Sequence, residues 1–138
     1  MAELRNVIVF AIGATRYALE LRWVREVVTL GFVTHVPPAL AGVCNLHGAI
    51  LPVLDVGALL GGTLGPPARQ GDGAVVLEAE GTVCALRVDQ VDHVASLHET
   101  GGLVIDGAGR RLTLLDPPKL VRRAGELVTA AAAAMSER

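Results

Sequence analysis

The sequence predicts a mainly β protein whose strands close as small barrels, followed by a C-terminal helix. Short stretches rich in Val and Leu recur at close spacing, as expected for strands that pack β-branched side chains. Turn residues, above all glycine, separate these stretches, and the helical patterns before residue 117 are single turns. Many short strands with such spacing are typical of barrels.

The first half of the chain contains five predicted strands and one predicted helical turn. The strands lie at residues 6–12, 17–21, 32–36, 42–46 and 49–55. The first two form a hairpin around Gly13, and the last two are joined near His47-Gly48. The segment RWVREV, residues 22–27, spaces its apolar residues for one helical turn. Two prolines, Pro37 and Pro38, end the third strand because proline donates no ladder hydrogen bond.

The second half continues the pattern after a linker. One helical turn at residues 56–60 precedes the linker GGTLGPPARQGDG at residues 61–73. Further strands are predicted at residues 74–78, 82–88, 91–97, 103–105 and 112–115. Pro117 suits the first turn of a helix that runs to Ala134.

Composition excludes several classes of function. A chain of 138 residues forms one domain, or two small lobes, and its net charge of -2 argues against general affinity for nucleic acid. No run approaches the ~20 apolar residues that cross a bilayer, and the start MAELRNVIVF is unlike a secretory signal. We therefore expect a cytoplasmic protein whose two cysteines, Cys44 and Cys84, are reduced.

Catalytic and metal-binding patterns are weak. Cys44 and His47 have a plausible ligand spacing, but a structural zinc site needs four ligands and the sequence has no second pair. Neither serine lies in a GxSxG elbow, and the glycine pairs lack the lysine of a phosphate loop. A basic cluster, formed by Arg110, Arg111, Lys119, Arg122 and Arg123, indicates either a solvated face or an acidic partner. The sequence thus predicts no enzyme, no metal and no cofactor.

One long pattern resembles a known family. The segments NVIVFAIG-x3-YALEL-x-WVREVV and VTHVPPALAGVCNLHGAILPVLDV, followed by VVLEAEGTVCALRVDQVDHVASL, are similar to CheW-like adaptor domains of bacterial chemosensory systems. The resemblance implies two small five-stranded, SH3-like barrels around a shared core. It places the first barrel at about residues 14–73, a shortened second barrel with the N-terminal strand region at about 74–115, and the helix at 117–135.

The resemblance also implies partners and contact residues. Family members couple methyl-accepting chemoreceptors to a CheA-type histidine kinase, and receptor tips dock in a groove between the barrels. By position, the residues at or supporting the receptor face are Val24, Glu26, Val27, Gly42, Asn45, His47 and Gly48. Another CheW-like domain is a further partner of this kind. Such a protein joins receptor arrays at the inner membrane without entering the bilayer.

Two departures from the family pattern change the expectation. The family usually has Arg where this chain has His47, and an imidazole lacks the planar fork and permanent charge of a guanidinium. After SLHET, residues 96–100, the chain lacks a segment that carries strands of the second barrel and a kinase-facing loop. We therefore expect a receptor-binding adaptor with reduced or absent kinase coupling and an open strand edge. A full coupling protein and a small metal- or ligand-binding β-barrel using Cys44 and His47 remain alternatives.

Overall fold

Two β-sheets contain the strands of this protein. The computed structural model describes residues 3–34, 42–60, 68–101, 103–106 and 109–136. Its strands are β1 (Glu3–Ile12), β2 (Thr15–Glu20), β3 (Val24–Thr29), β4 (Val33–Thr34), β5 (Gly42–Leu46), β6 (Ala49–Leu54), β7 (Gly73–Ala79), β8 (Thr82–Val88), β9 (Gln90–Thr100), β10 (Leu103–Ile105) and β11 (Arg111–Leu114). Its helices are α1 (Val56–Leu59) and α2 (Pro117–Ser136), with a 3-10 turn at Leu21–Trp23. The predicted fold class, mainly β with a C-terminal helix, is confirmed.

The first sheet is a closed barrel in the order β1-β2-β11-β10-β9. β1 pairs antiparallel with both β2 and β9, and β11 closes the barrel by pairing parallel with β2. Its interior is apolar and is formed by Val7, Val9, Ala18, Val104 and Leu112. We expected missing strands to leave an open edge here. In the part of the chain that the structure describes, this barrel instead has five strands and closes, so that expectation is wrong.

The second sheet has the order β3-β7-β8-β6-β5-β4. It curls around its own buried cluster, to which β5, β6, β7 and β8 each contribute: Leu30, Cys44, Leu51, Val53, Ala68, Ala74, Val76 and Ala85. The expected division placed β7 and β8 in the second barrel. They pair instead with β3 and β6, whereas β1 and β2 join β9, β10 and β11.

A shared core fills the space between the two sheets. β7 and β8 are buried on both faces. Val75 of β7 and Leu86 of β8 point into the shared core, whereas Val76 of β7 and Ala85 of β8 point into the interior of the second sheet. Strands buried on both faces need continuous apolar runs, which is why VVL and VCAL lack polar alternation. The shared core also receives Phe10 of β1, and its side chains occupy the region where we expected a docking groove.

Both helices begin at an aspartate and pack against the shared core. The carboxylate of Asp55 accepts a hydrogen bond from the backbone N–H of Ala58 at 3.1 Å, as an N-cap does, and lies 3.0 Å from the Arg87 guanidinium. Asp116 precedes α2, and Leu120 and Ala124 of this helix enter the shared core. Neither helix is long and apolar enough in the described residues to cross a membrane.

Two local predictions differ from the structure. Residues 22–27 were expected to form a helical turn, but only Leu21–Trp23 is helical and the rest of the segment is the strand β3. β-branched valines at positions 24, 27 and 28 favour the strand, and pairing with β7 decides the outcome. The strand expected at 32–36 is observed as Val33–Thr34, and the remainder, with both prolines, lies outside the described residues.

Candidate functional site

A cavity of about 560 Å³ opens where β3 faces the turn between β5 and β6. Its apolar wall comes from the curled second sheet, and its rim carries charged side chains. The lining residues are Arg25, Glu26, Leu46, His47, Ala49, Leu51, Val76 and Val83. Because these residues come from five strands, the cavity depends on the curl of the whole sheet.

Glu26 and His47 form a bridge across the mouth of this cavity. Nε2 of His47 lies 2.8 Å from Oε1 of Glu26, and the carboxylate accepts the hydrogen bond. The side chains are 74% exposed for His47 and 38% exposed for Glu26. Their contact joins β3, at one end of the sheet, to the β5–β6 turn near the other end. An exposed pair of this kind contributes at most ~1 kcal/mol, so it positions the rim more than it stabilises the fold.

The β5–β6 turn holds His47 in place. His47 and Gly48 are its two central residues and have φ values of 51° and 84°. Positive φ at both central positions is the pattern of a type I′ turn, which matches the twist of a hairpin and favours glycine. The side chain of Asn45 accepts a hydrogen bond from the backbone N–H of Gly48 at 3.1 Å. Asn45 and Gly48 therefore shape the turn that presents His47.

Gly42 supports the site from inside the sheet. It is buried at the start of β5, and a Cβ placed there would lie 2.5 Å from Cγ1 of Val33 and 3.2 Å from the backbone oxygen of Thr34. A larger residue would therefore push β5 away from β4. The close packing of β4 against β5 therefore requires glycine at position 42. Gly42 does not line the cavity.

Val24 and Val27 have different surroundings. Val24 is half-buried and packs against the shared core, whereas Val27 is 48% exposed. A shift of register between Val24 and Glu26 changes the alternation along β3. Of the seven residues expected at the receptor face, Glu26 and His47 thus line the cavity, Val27 is on the surface, and the others support the surrounding structure.

Sequence reasoning missed most of the cavity wall. Arg25 lies on the rim and donates two hydrogen bonds to Oε1 of Glu78, at 2.7 and 3.1 Å. Leu51, Val76 and Val83 belong to strands with the apolar pattern of ordinary core strands. Nothing in the sequence distinguishes residues that line the cavity from residues of the core. The bulge beside Arg25 depends on pairing with β7, which a single strand does not reveal.

The cysteines and histidines do not gather into a metal site in the described ranges. Cys44 points into the buried interior of the second sheet, whereas His47 is exposed on the turn. Among the described residues, no three His, Cys, Asp or Glu side chains are grouped to hold a metal ion, and His35 lies outside those residues. Burial raises the pKa of the Cys44 thiol and raises the pKa of Cys84 to about 12. Both groups therefore remain neutral thiols near pH 7.

These features define a two-sheet β protein with a cavity in its curled sheet. The family model described as the CheW-like domain matches residues 6–101, which include Glu26, His47 and the strands β2 to β8. The chain belongs to the CheW-like family.

Curated relatives and a solved structure agree with this assignment. The chain is 30% identical over 96 residues to a "Probable chemotaxis protein CheW" of Rhizobium etli, covering 67% of this chain and 61% of that protein. It is 30% identical over 98 residues to the "Chemotaxis protein CheW" of Rhizobium meliloti, covering 69% and 63%. The matches thus span less than two thirds of the length of these relatives. The crystal structure of the scaffolding protein TtCheW from Thermoanaerobacter tengcongensis has the same fold, with a TM-score of 0.65, 20% identity and coverage of 83% and 90%.

Proposed function

We propose that this protein is a non-enzymatic adaptor of a bacterial chemosensory system that binds the cytoplasmic tip of a chemoreceptor. The observation that carries this proposal is the cavity bridged by Glu26 and His47, with an apolar wall and a charged rim. The family and the names of the relatives, both chemotaxis proteins, support the same system. Such a role places the protein at receptor arrays on the inner membrane.

The cavity suits one apolar anchor of a helical tip. A helix presents side chains at i, i+3, i+4 and i+7 on one face, and one of these enters the space walled by Leu51, Val76 and Val83. The rim pair Glu26–His47 and the exposed Val27 contact the helix beside its anchor. Burial of the anchor supplies most of the affinity, and the charged rim fixes register. Gly42, Asn45 and Gly48 affect receptor binding indirectly, because they shape the β5–β6 hairpin that carries His47. Val24 also acts indirectly, since it packs in the core beneath β3.

Coupling to a CheA-type histidine kinase distinguishes two versions of this role. The first is a receptor-binding adaptor with reduced or absent kinase coupling, which follows from the short sequence after Thr100. The second is a full coupling protein that bridges receptor and kinase. The closed five-stranded barrel is compatible with the second version, because its described strands leave no open edge.

A paired titration tests the proposal. The protein is titrated with a receptor tip fragment and, separately, with the regulatory domain of a CheA-type kinase, by calorimetry. Binding to the receptor alone supports the adaptor with reduced coupling, and binding to both supports the full coupling protein. Glu26→Gln should weaken receptor binding, whereas Glu80→Gln, at an exposed turn residue that does not line the cavity, should not. Binding to neither partner would overturn the proposed function.

A further inference from the structure

A second groove lies between α2 and the outer face of the curled sheet. Its volume is about 430 Å³, and its lining comes from β6, β8 and α2: Pro52, Leu54, Thr82, Cys84, Val121, Ala124, Gly125 and Thr129. The groove shares no lining residue with the Glu26–His47 cavity. Most of its surface is apolar, so water in it is readily displaced by an apolar side chain.

Gly125 keeps the groove open. A glycine inside a helix is about 1 kcal/mol less favourable than an alanine. A Cβ added at Gly125 would meet no atom within 4 Å, so packing among the described residues does not require glycine there. Because Gly125 has no side chain, the backbone of α2 is accessible from the groove. A second helix or strand could therefore approach this backbone closely.

The shape of the α2 wall favours a helix as that second element. Val121, Gly125 and Thr129 are four residues apart and therefore lie in one row along the helix surface. Rows of this spacing form the ridges and grooves through which helices pack, and small residues in a row shorten the distance between the axes. Leu120 and Ala124, on the neighbouring row, pack in the shared core, and Ala124 also lines the groove.

Positive charge lies on α2, the helix that forms one wall of the groove. Lys119, Arg122 and Arg123 are exposed on α2. Arg123 forms an ion pair with Glu126 at 3.2 Å. The Arg122 guanidinium instead donates a hydrogen bond to the backbone oxygen of Pro118 at 3.2 Å. A backbone oxygen carries no formal charge, so this hydrogen bond does not neutralise Arg122. Arg122 lies one residue from Val121 and about a quarter-turn from the Gly125 row. A carboxylate of a bound helix is the complement to this edge.

We propose that this groove receives an amphipathic helix of a partner protein, with apolar residues against Gly125 and an acidic residue opposite Arg122. The site is separate from the proposed receptor cavity. It also gives a role to the three members of the basic cluster that lie on α2, Lys119, Arg122 and Arg123.

Two helical peptides test the proposal on the full chain. One has leucines at i, i+3, i+4 and i+7 flanked by glutamates, and its control has lysines in place of the glutamates. Fluorescence anisotropy should give about fivefold tighter binding of the glutamate peptide, because carboxylates attract the Arg122 side chain and ammonium groups repel it. Equal affinity of the two peptides would overturn the proposal.

Variants locate the binding. Gly125→Leu should fill the groove and weaken binding of the glutamate peptide at least about tenfold, with unchanged or higher stability because leucine favours the helix. Arg122→Glu should reverse the preference between the peptides, and Arg111→Glu, on β11, serves as the matched control. Retained binding by folded Gly125→Leu would contradict the proposal. Self-association of the chain that Gly125→Leu abolishes would also contradict it, since a second copy would then be the occupant.

Receptor binding separates this proposal from the proposed function. Gly125→Leu should leave the affinity for the receptor tip fragment unchanged, because none of the groove residues lines the Glu26–His47 cavity. Glu26→Gln should likewise leave peptide binding unchanged. Failure of one site therefore does not affect the test of the other.

Discussion

The imidazole of His47 and the carboxylate of Glu26, 21 residues apart in the chain, meet at 2.8 Å across the mouth of one cavity. Their contact connects an end strand of the six-stranded sheet with a hairpin turn near the opposite end. A curled sheet brings such residues together, whereas a flat sheet separates them by several strand widths, each about 4.8 Å. The proposed receptor site thus depends on curvature as much as on residue type.

We expect His47→Ala and Glu26→Gln each to weaken receptor-tip binding by up to about fivefold, the range of an exposed side-chain hydrogen bond. Because the two side chains contact each other, the double variant should bind the receptor tip about as tightly as the single variant with the lower affinity. Calorimetry of the four proteins gives the coupling energy. His47→Arg should retain the affinity, because guanidinium also pairs with Glu26. Fully additive effects would show that the two side chains contact the receptor independently.

The sequence was sufficient to predict most strands because their turns are strongly marked. The sequence predicts the turn of the β5–β6 hairpin at His47-Gly48, and the predicted bounds of α1 and α2 lie within two residues of the observed ends. The type I′ geometry and the apolar runs are local properties, and local properties can be recognised in one sequence.

The assignment of strands to sheets could not be predicted in the same way. β7 is compatible with either sheet by composition, since both of its faces are apolar. Its pairing with β3 is a long-range contact, as is the parallel pairing of β11 with β2 that closes the barrel. The resemblance points to Glu26 and His47, which line the cavity, whereas nothing in the sequence distinguishes the wall residues Val76 and Val83 from core residues.

Gly42→Ala should destabilise the fold by about 1–3 kcal/mol, as overpacked positions do. The new Cβ would lie 2.5 Å from Val33 and close to backbone, which cannot move aside as a flexible side chain can. Urea denaturation measures the change. Gly31→Ala is the matched control, because a Cβ there meets nothing within 4 Å. If both variants unfold at the same urea concentration, β4 and β5 are less tightly packed than described.

Val24→Asp should destabilise the protein more than Val27→Asp, because Val24 packs in the core and Val27 lies on the surface of β3. A carboxylate at position 24 would face the shared core and should lower the free energy of unfolding by about 2 kcal/mol. At position 27 the side chain is 48% exposed, and the change should stay within about 0.5 kcal/mol. Thermal unfolding gives these values, and receptor titration of the folded Val27→Asp protein should then show weaker binding. Equal destabilisation by the two substitutions would place both valines in the core.

Burial of Cys84 predicts a loss of stability at high pH. Desolvation raises the pKa of this thiol from 9.0 to about 12 in the folded protein. Between these values the unfolded chain releases the proton and the folded chain keeps it, so stability falls as pH rises, by at most about 1.4 kcal/mol per pH unit. Below pH 9 this contribution is fully present. Urea denaturation from pH 8 to pH 11 should therefore show a shallower decline for Cys84→Ala than for the unaltered chain, with Cys44 present in both. Parallel declines would mean that the Cys84 thiol ionises as readily in the fold as outside it.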